Sequence, residues 1–73
     1  MKITVKFFGE LKKLDPKTEW RGVQTVGDIV AQTPGLRASP RNFLVSRNGV
    51  RCDIDARVEG GDEILFFPMI AGG

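Results

Sequence analysis

The residues with most to offer chemically are two without side chains. Gly72 and Gly73 follow a strand-like run, Glu63-Ile64-Leu65-Phe66-Phe67, with Pro68-Met69-Ile70-Ala71 between. Proline has no N–H to donate and so stops a ladder, while glycine has no Cβ and occupies little space. A segment built this way can be threaded. Its terminal carboxylate, on Gly73, could pass down a narrow channel in a partner enzyme and reach a reactive centre that a bulkier residue would block. The competing reading is an ordinary frayed terminus, where small residues do nothing in particular.

The remaining composition points away from self-contained catalysis. With no histidine, a Ser-His or Cys-His pair lacks its usual general base. The one cysteine, Cys52, has no second thiol for an internal disulfide, and no thiol or imidazole accompanies it to complete a zinc site. Neither a metal nor a bound cofactor is expected. These absences fit a carrier or binding module.

At 73 residues the chain is one domain, close to the lower limit for a core without disulfides or metal. Its hydrophobic content of 41% is that of a globular protein, and no apolar run approaches the about 20 residues of a membrane span. Met1-Lys2-Ile3-Thr4-Val5-Lys6 alternates polar and apolar from the outset rather than building a signal core, which predicts a cytoplasmic protein. The net charge of +2 hides an asymmetry: residues 1–24 carry six basic and three acidic groups, residues 52–73 one basic and five acidic. Scattered basic residues without an aromatic stripe argue against nucleic-acid binding as the main role.

The elements that must position the tail can be read from periodicity. Ile3, Val5 and Phe7 alternate with Lys2, Thr4 and Lys6, the pattern of a half-buried strand over 2–8. Phe8 breaks the alternation and is expected to pack at the strand end, under the loop that Gly9 permits. Asp15-Pro16 marks a further break, and a short second strand is expected around Thr18 to Val23, with Trp20 at the core or its rim. Thr25 and Asp28 form a weak capping box. Val26, Ile29 and Val30 share one helical face, and Pro34-Gly35 should stop that helix after little more than two turns.

Asn48-Gly49 between two apolar runs is a two-residue hairpin signal, of type I′. The register then pairs Arg47 with Val50, Val45 with Cys52 and Phe43 with Ile54. This places Cys52 on the face of two large apolar residues, as a buried core thiol rather than a nucleophile. Gly60-Gly61-Asp62 gives the next turn, and 63–67 the last strand. Within that strand Ile64 and Phe66 should face the helix, leaving an exposed Leu65/Phe67 pair beside the tail as a partner-binding patch. One short helix across a mixed sheet is an α+β two-layer arrangement, with first and last strands adjacent at its centre.

Val5-Lys6-Phe7-Phe8-Gly9-Glu10-Leu11 and the segment from Gly61 through Phe66-Phe67-Pro68 to Gly72-Gly73 resemble the opening strand and the closing strand and tail of the MoaD/ThiS family of ubiquitin-like sulfur carriers. They are most similar to the small subunit of molybdopterin synthase. The stretch from Gln24 to Asn42 is shorter than the helical region usual in that family. The resemblance implies a β-grasp fold, with a four- to five-stranded mixed sheet and one helix over residues 1–68, and a flexible tail over 69–73. It implies that the carboxylate of Gly73 is adenylated by an ATP-using, ubiquitin-activating-type enzyme and converted to a thiocarboxylate. Gly72 and Ala71 would enter that enzyme, while Leu65, Phe67, Pro68, Met69 and Ile70 would bind partners. The implied partners are the adenylating enzyme, a sulfur donor, and a large molybdopterin synthase subunit or a thiazole synthase, with no nucleic acid or membrane. ATP is used by the activating partner, and the chain is a carrier subunit and co-substrate. Three alternatives stand beside molybdopterin biosynthesis: a thiamine-type sulfur carrier, a ubiquitin-like modifier conjugated to lysine, and an interaction domain with an incidental tail.

Overall fold

The computed structural model describes residues 2–9, 11, 19–37 and 43–69. Among the described residues four strands form one sheet: β1 (Thr4–Phe7), β2 (Phe43–Arg47), β3 (Val50–Cys52) and β4 (Glu63–Pro68), in the spatial order β1-β4-β2-β3. The sheet is mixed. β1 runs parallel to β4, with Thr4 opposite Glu63 and Phe7 opposite Phe66, whereas β2 is antiparallel to both β4 and β3. First and last strands are neighbours as expected, but of these two only β4 is interior; β1 lies at one edge.

Alternation decides which residues go inside. Val5 and Phe7 of β1, Phe43 and Val45 of β2, and Ile64 and Phe66 of β4 are buried, together with Ile3. The helix α1 (Val26–Ala31) contributes Val26, Ile29 and Val30 to the same core. Phe66 is fully enclosed, its ring 5.5 Å from that of Phe7 and 5.4 Å from that of Phe43, the latter edge-on. Such a short helix is marginal alone and is stabilised by this packing.

Its amino end is tied down by the chain that follows β3. The amides of Val26 and Gly27 donate to the carbonyls of Ala56 and Ile54, at 2.9 and 2.7 Å. The Asp28 carboxylate accepts from the amides of Gln24 and Thr25, which lowers its pKa and supplies the acidic half of the capping box.

Three features differ from the sequence reading. Only one bridge, Lys2 with Glu19, lies at the expected second strand among its described residues. Gly22 at φ 68 breaks the extended run there, and Trp20 and Val23 reach the core from irregular chain. The first helix ends at Ala31 with Gln32 as its cap, short of the two turns expected, and Pro34 opens a second helical turn, α2 (Pro34–Arg37), because proline's fixed φ suits a first helical position. The hairpin forms with positive φ at both Asn48 and Gly49, the type I′ geometry. Its ladder ends at the Val45–Cys52 pair, so Ile54 falls in a turn instead of pairing with Phe43.

Asp62 joins the hairpin tip to the start of β4. Its carboxylate, buried in the turn, accepts from Arg47 Nε at 2.6 Å, Asn48 Nδ2 at 3.0 Å and the Glu59 amide at 2.8 Å. Asn48 Oδ1 in turn accepts from the Glu63 amide, and the Asn48 amide donates to the Glu63 carbonyl. The hydrogen bond from Asn48 leads the interactions that hold the Asp62 pKa down at about 2. Both strands flanking β4 are thereby registered at its entrance, since the Thr4 amide donates to the Asp62 carbonyl on the other side.

Candidate functional site

The site is the far end of β4 and the sheet face turned away from α1. Leu65, Phe67 and Pro68 of β4 and Leu44 of β2 are half-buried there, and Met69 is exposed. Register brings them together: Phe67 lies opposite Leu44, and Leu65 sits between Lys6 and Ser46. The expected Leu65/Phe67 patch is therefore on the predicted face but partly covered. Phe8, just past the end of β1, stacks its ring on Phe67 at 4.8 Å between centroids and 10° between planes.

Phe8 and Leu44 belong to this face although sequence reasoning did not assign them to it. The break of alternation at Phe8 was the available signal. Beyond Phe8, the Gly9 backbone (φ 58) lies against the Pro68 ring, and Pro68 is flanked across the sheet by Phe43. A Lys6–Glu63 ion pair at 4.0 Å, exposed to solvent, borders the patch at the other end of the strands; such a pair adds little stability.

Gly73, Gly72, Ala71 and Ile70 lie outside the described residues, as does the flexibility expected of the tail. Met69 is the last residue placed before them. It also lines a groove of about 450 Å³ beside β3, with Phe43, Cys52 and Ile54. Cys52 is only half-buried at this edge, a correction to the core position expected for it, because β3 is the outermost strand and closes one side of the thiol only. Partial burial still raises its pKa, with the Asp53 carboxylate adding to the effect. It is a poorly activated thiol. Among the described residues no cluster of three His, Cys, Asp or Glu side chains could hold a metal ion, and no helix is long and apolar enough to cross a membrane.

A mixed sheet with parallel first and last strands, a short helix across one face and the last strand running out toward a tail defines a ubiquitin-like β-grasp domain. Known structures share the arrangement. The chain superposes on the crystal structure of SAMP1 from Haloferax volcanii with a TM-score of 0.73 and 26% identity, over 100% of both chains. A crystal structure of H. volcanii small archaeal modifier protein 1 matches with TM-score 0.71 and 24% identity over 93% of this chain and 97% of that one. The complex of subunits 1 and 2 of the molybdopterin-converting factor from Helicobacter pylori 26695 provides a further match, at TM-score 0.65 and 22% identity over 100% of both chains. No curated protein sequence matches the chain. The ThiS family model matches residues 5–73, and the chain belongs to that family of ubiquitin-like sulfur carriers and modifiers.

Proposed function

We propose that this protein is a sulfur carrier for molybdopterin biosynthesis, working through the carboxylate of Gly73. The observation that supports it best is the extent of the family match, which runs through Gly72-Gly73, combined with a β4 that leads toward them and ends at Pro68.

The chemistry follows from the weakness of a carboxylate as an electrophile. In the partner enzyme a Gly73 carboxylate oxygen attacks the α-phosphorus of ATP and expels pyrophosphate. The acyl-adenylate then carries a good leaving group, and hydrosulfide supplied by a sulfur donor attacks the acyl carbon, expels AMP and loses its proton to solvent, leaving a thiocarboxylate, a soft nucleophile on the end of the chain. This domain supplies recognition through Phe67, Leu65 and Pro68, with Phe8 and Leu44 beside them, while the partner supplies catalysis. A carrier of this kind works without histidine, bound metal or a phosphate-binding loop of its own. The Phe66-Phe67-Pro68 run favours the molybdopterin branch over thiamine synthesis, with a large synthase subunit as the acceptor's host.

The likeness to SAMP1 supports a second reading, as a modifier conjugated to lysine, because both routes begin with the same acyl-adenylate. Intact mass measurement of the protein from its native cell distinguishes them. A mass raised by exchange of one oxygen for sulfur is the expected result; lysine-linked adducts without any thiocarboxylate would favour the modifier, and neither would remove both readings.

A further inference from the structure

We infer that Gly9 is a positioning residue for the tail: it forms, with Phe8, a clasp that fixes the direction in which the chain leaves the sheet after Pro68. The inference rests on the reading of Gly73 as the reacting terminus. Three observations at consecutive positions carry it.

The β1–β4 ladder ends with Phe7 opposite Phe66, yet the contact between the two segments continues past it. The Phe8 amide donates to the Phe66 carbonyl at 3.0 Å, and the Phe8 ring lies flat on Phe67. One residue further, the Gly9 backbone fits directly against Pro68. A Cβ built on Gly9 would stand 2.6 Å from Pro68 Cγ and 3.2 Å from Cδ, closer than side-chain atoms can approach.

Gly9 is also at φ 58, in the left-handed region that non-glycine L-residues enter at a cost. Two separate constraints therefore select glycine, and only the second is local. The clash with Pro68 is a long-range one, between the turn after β1 and the last residue of β4. Pro68 is meanwhile held from the opposite side by its pairing with Phe43. Being part of a closed ring, Pro68 Cγ and Cδ move little without the backbone that carries them. A side chain at position 9 would be relieved by redirecting residues after 68, and the carboxylate four residues beyond Met69 would then miss its target in the partner.

A double-mutant cycle separates the two constraints. Gly9→Ala and Pro68→Ala are made singly and together, and each protein is assayed for ATP–pyrophosphate exchange with its adenylating enzyme and for the position of the Met69 amide resonance by NMR. Misplacement of reacting groups by an ångström costs on the order of 10²-fold in rate, so Gly9→Ala should lose about that much exchange and shift the Met69 resonance. In the Pro68→Ala background, which lacks Cγ and Cδ, adding Gly9→Ala should change neither by much. Should Gly9→Ala alone fail to fold, a double variant that folds and behaves as Pro68→Ala gives the same support.

Equal losses from Gly9→Ala in both backgrounds would overturn the inference, because the backbone conformation alone would then explain them. An unperturbed Gly9→Ala would overturn it too. If the unmodified protein supports no exchange, the reading of Gly73 fails, and the Met69 resonance still decides whether the clasp exists.

Discussion

The Phe8 ring covers one side of Phe67 in a near-parallel stack, with 4.8 Å between centroids. Phe67 is therefore held in one orientation on the sheet face away from α1, while its neighbour Phe66 is buried in the core on the other. Two adjacent phenylalanines thus lie on opposite faces of the sheet, a division that follows from strand alternation.

Replacing them should separate binding from stability. Phe67→Ala is expected to weaken binding to the adenylating enzyme by about 2 kcal/mol, roughly thirtyfold, with a small effect on unfolding. Phe66→Ala should instead cost about 3–5 kcal/mol of stability. Calorimetric titration and urea unfolding of both variants test the assignment, and exchanged phenotypes would mean the faces are reversed.

Much of this was legible in the sequence because it is local. Alternation in β1 and β4 assigned the buried faces, and Asn48-Gly49 specified the hairpin and its register at Val45 and Cys52. Long-range geometry was not legible. Trp20 and Val23 are apolar and buried, yet they reach the core from a bend interrupted at Gly22, so apolar content mimicked a strand. Pro34 signalled a helix end without revealing that it also starts the next turn. The partners of Asp62 lie 14 and 15 residues away at Asn48 and Arg47, and nothing in the Gly60-Gly61-Asp62 turn announces them. Phe8 was visible as an anomaly, but its stacking on Phe67 depends on the parallel pairing of two strands far apart in the chain.

Asp62 should make stability depend on acid. Its carboxyl has a pKa of about 2 in the folded protein against an ordinary 3.8, so the folded state favours the ionised form. A depressed pKa contributes stability that is fully present above the unfolded value and is lost as pH falls from 3.8 toward 2. Urea midpoints measured down through that window should fall for the native sequence and fall less for Asp62→Asn. At neutral pH Asp62→Ala should cost about 1–3 kcal/mol, since it leaves the Glu59 amide and Arg47 without their acceptor. A pH profile unchanged by Asp62→Asn would show that other carboxylates carry the acid dependence.

Cys52 should react slowly. Half-burial beside Val45 and the nearby Asp53 carboxylate both disfavour its thiolate, and it is the thiolate that attacks. At pH 8 its alkylation should lag behind that of a free cysteine and become comparable in urea. Reaction in the native state at the free-cysteine rate would place the thiol outside the sheet edge.

Gly73 is the reacting end of the proposed mechanism, so chain length should matter more than tail composition. Removing Gly73 shortens the reach by up to ~3.5 Å, whereas reacting atoms must approach to within about 3–3.5 Å. Exchange of pyrophosphate into ATP by the adenylating enzyme should therefore be abolished by the deletion, and by one alanine added after Gly73, while thermal unfolding of both variants matches the native sequence. Among the described residues the core ends at Phe66, which neither change touches. If all three proteins supported exchange equally, the terminal carboxylate would not be the acceptor. The Leu65/Phe67 face would then be better understood as the surface of an interaction domain whose final glycines are incidental.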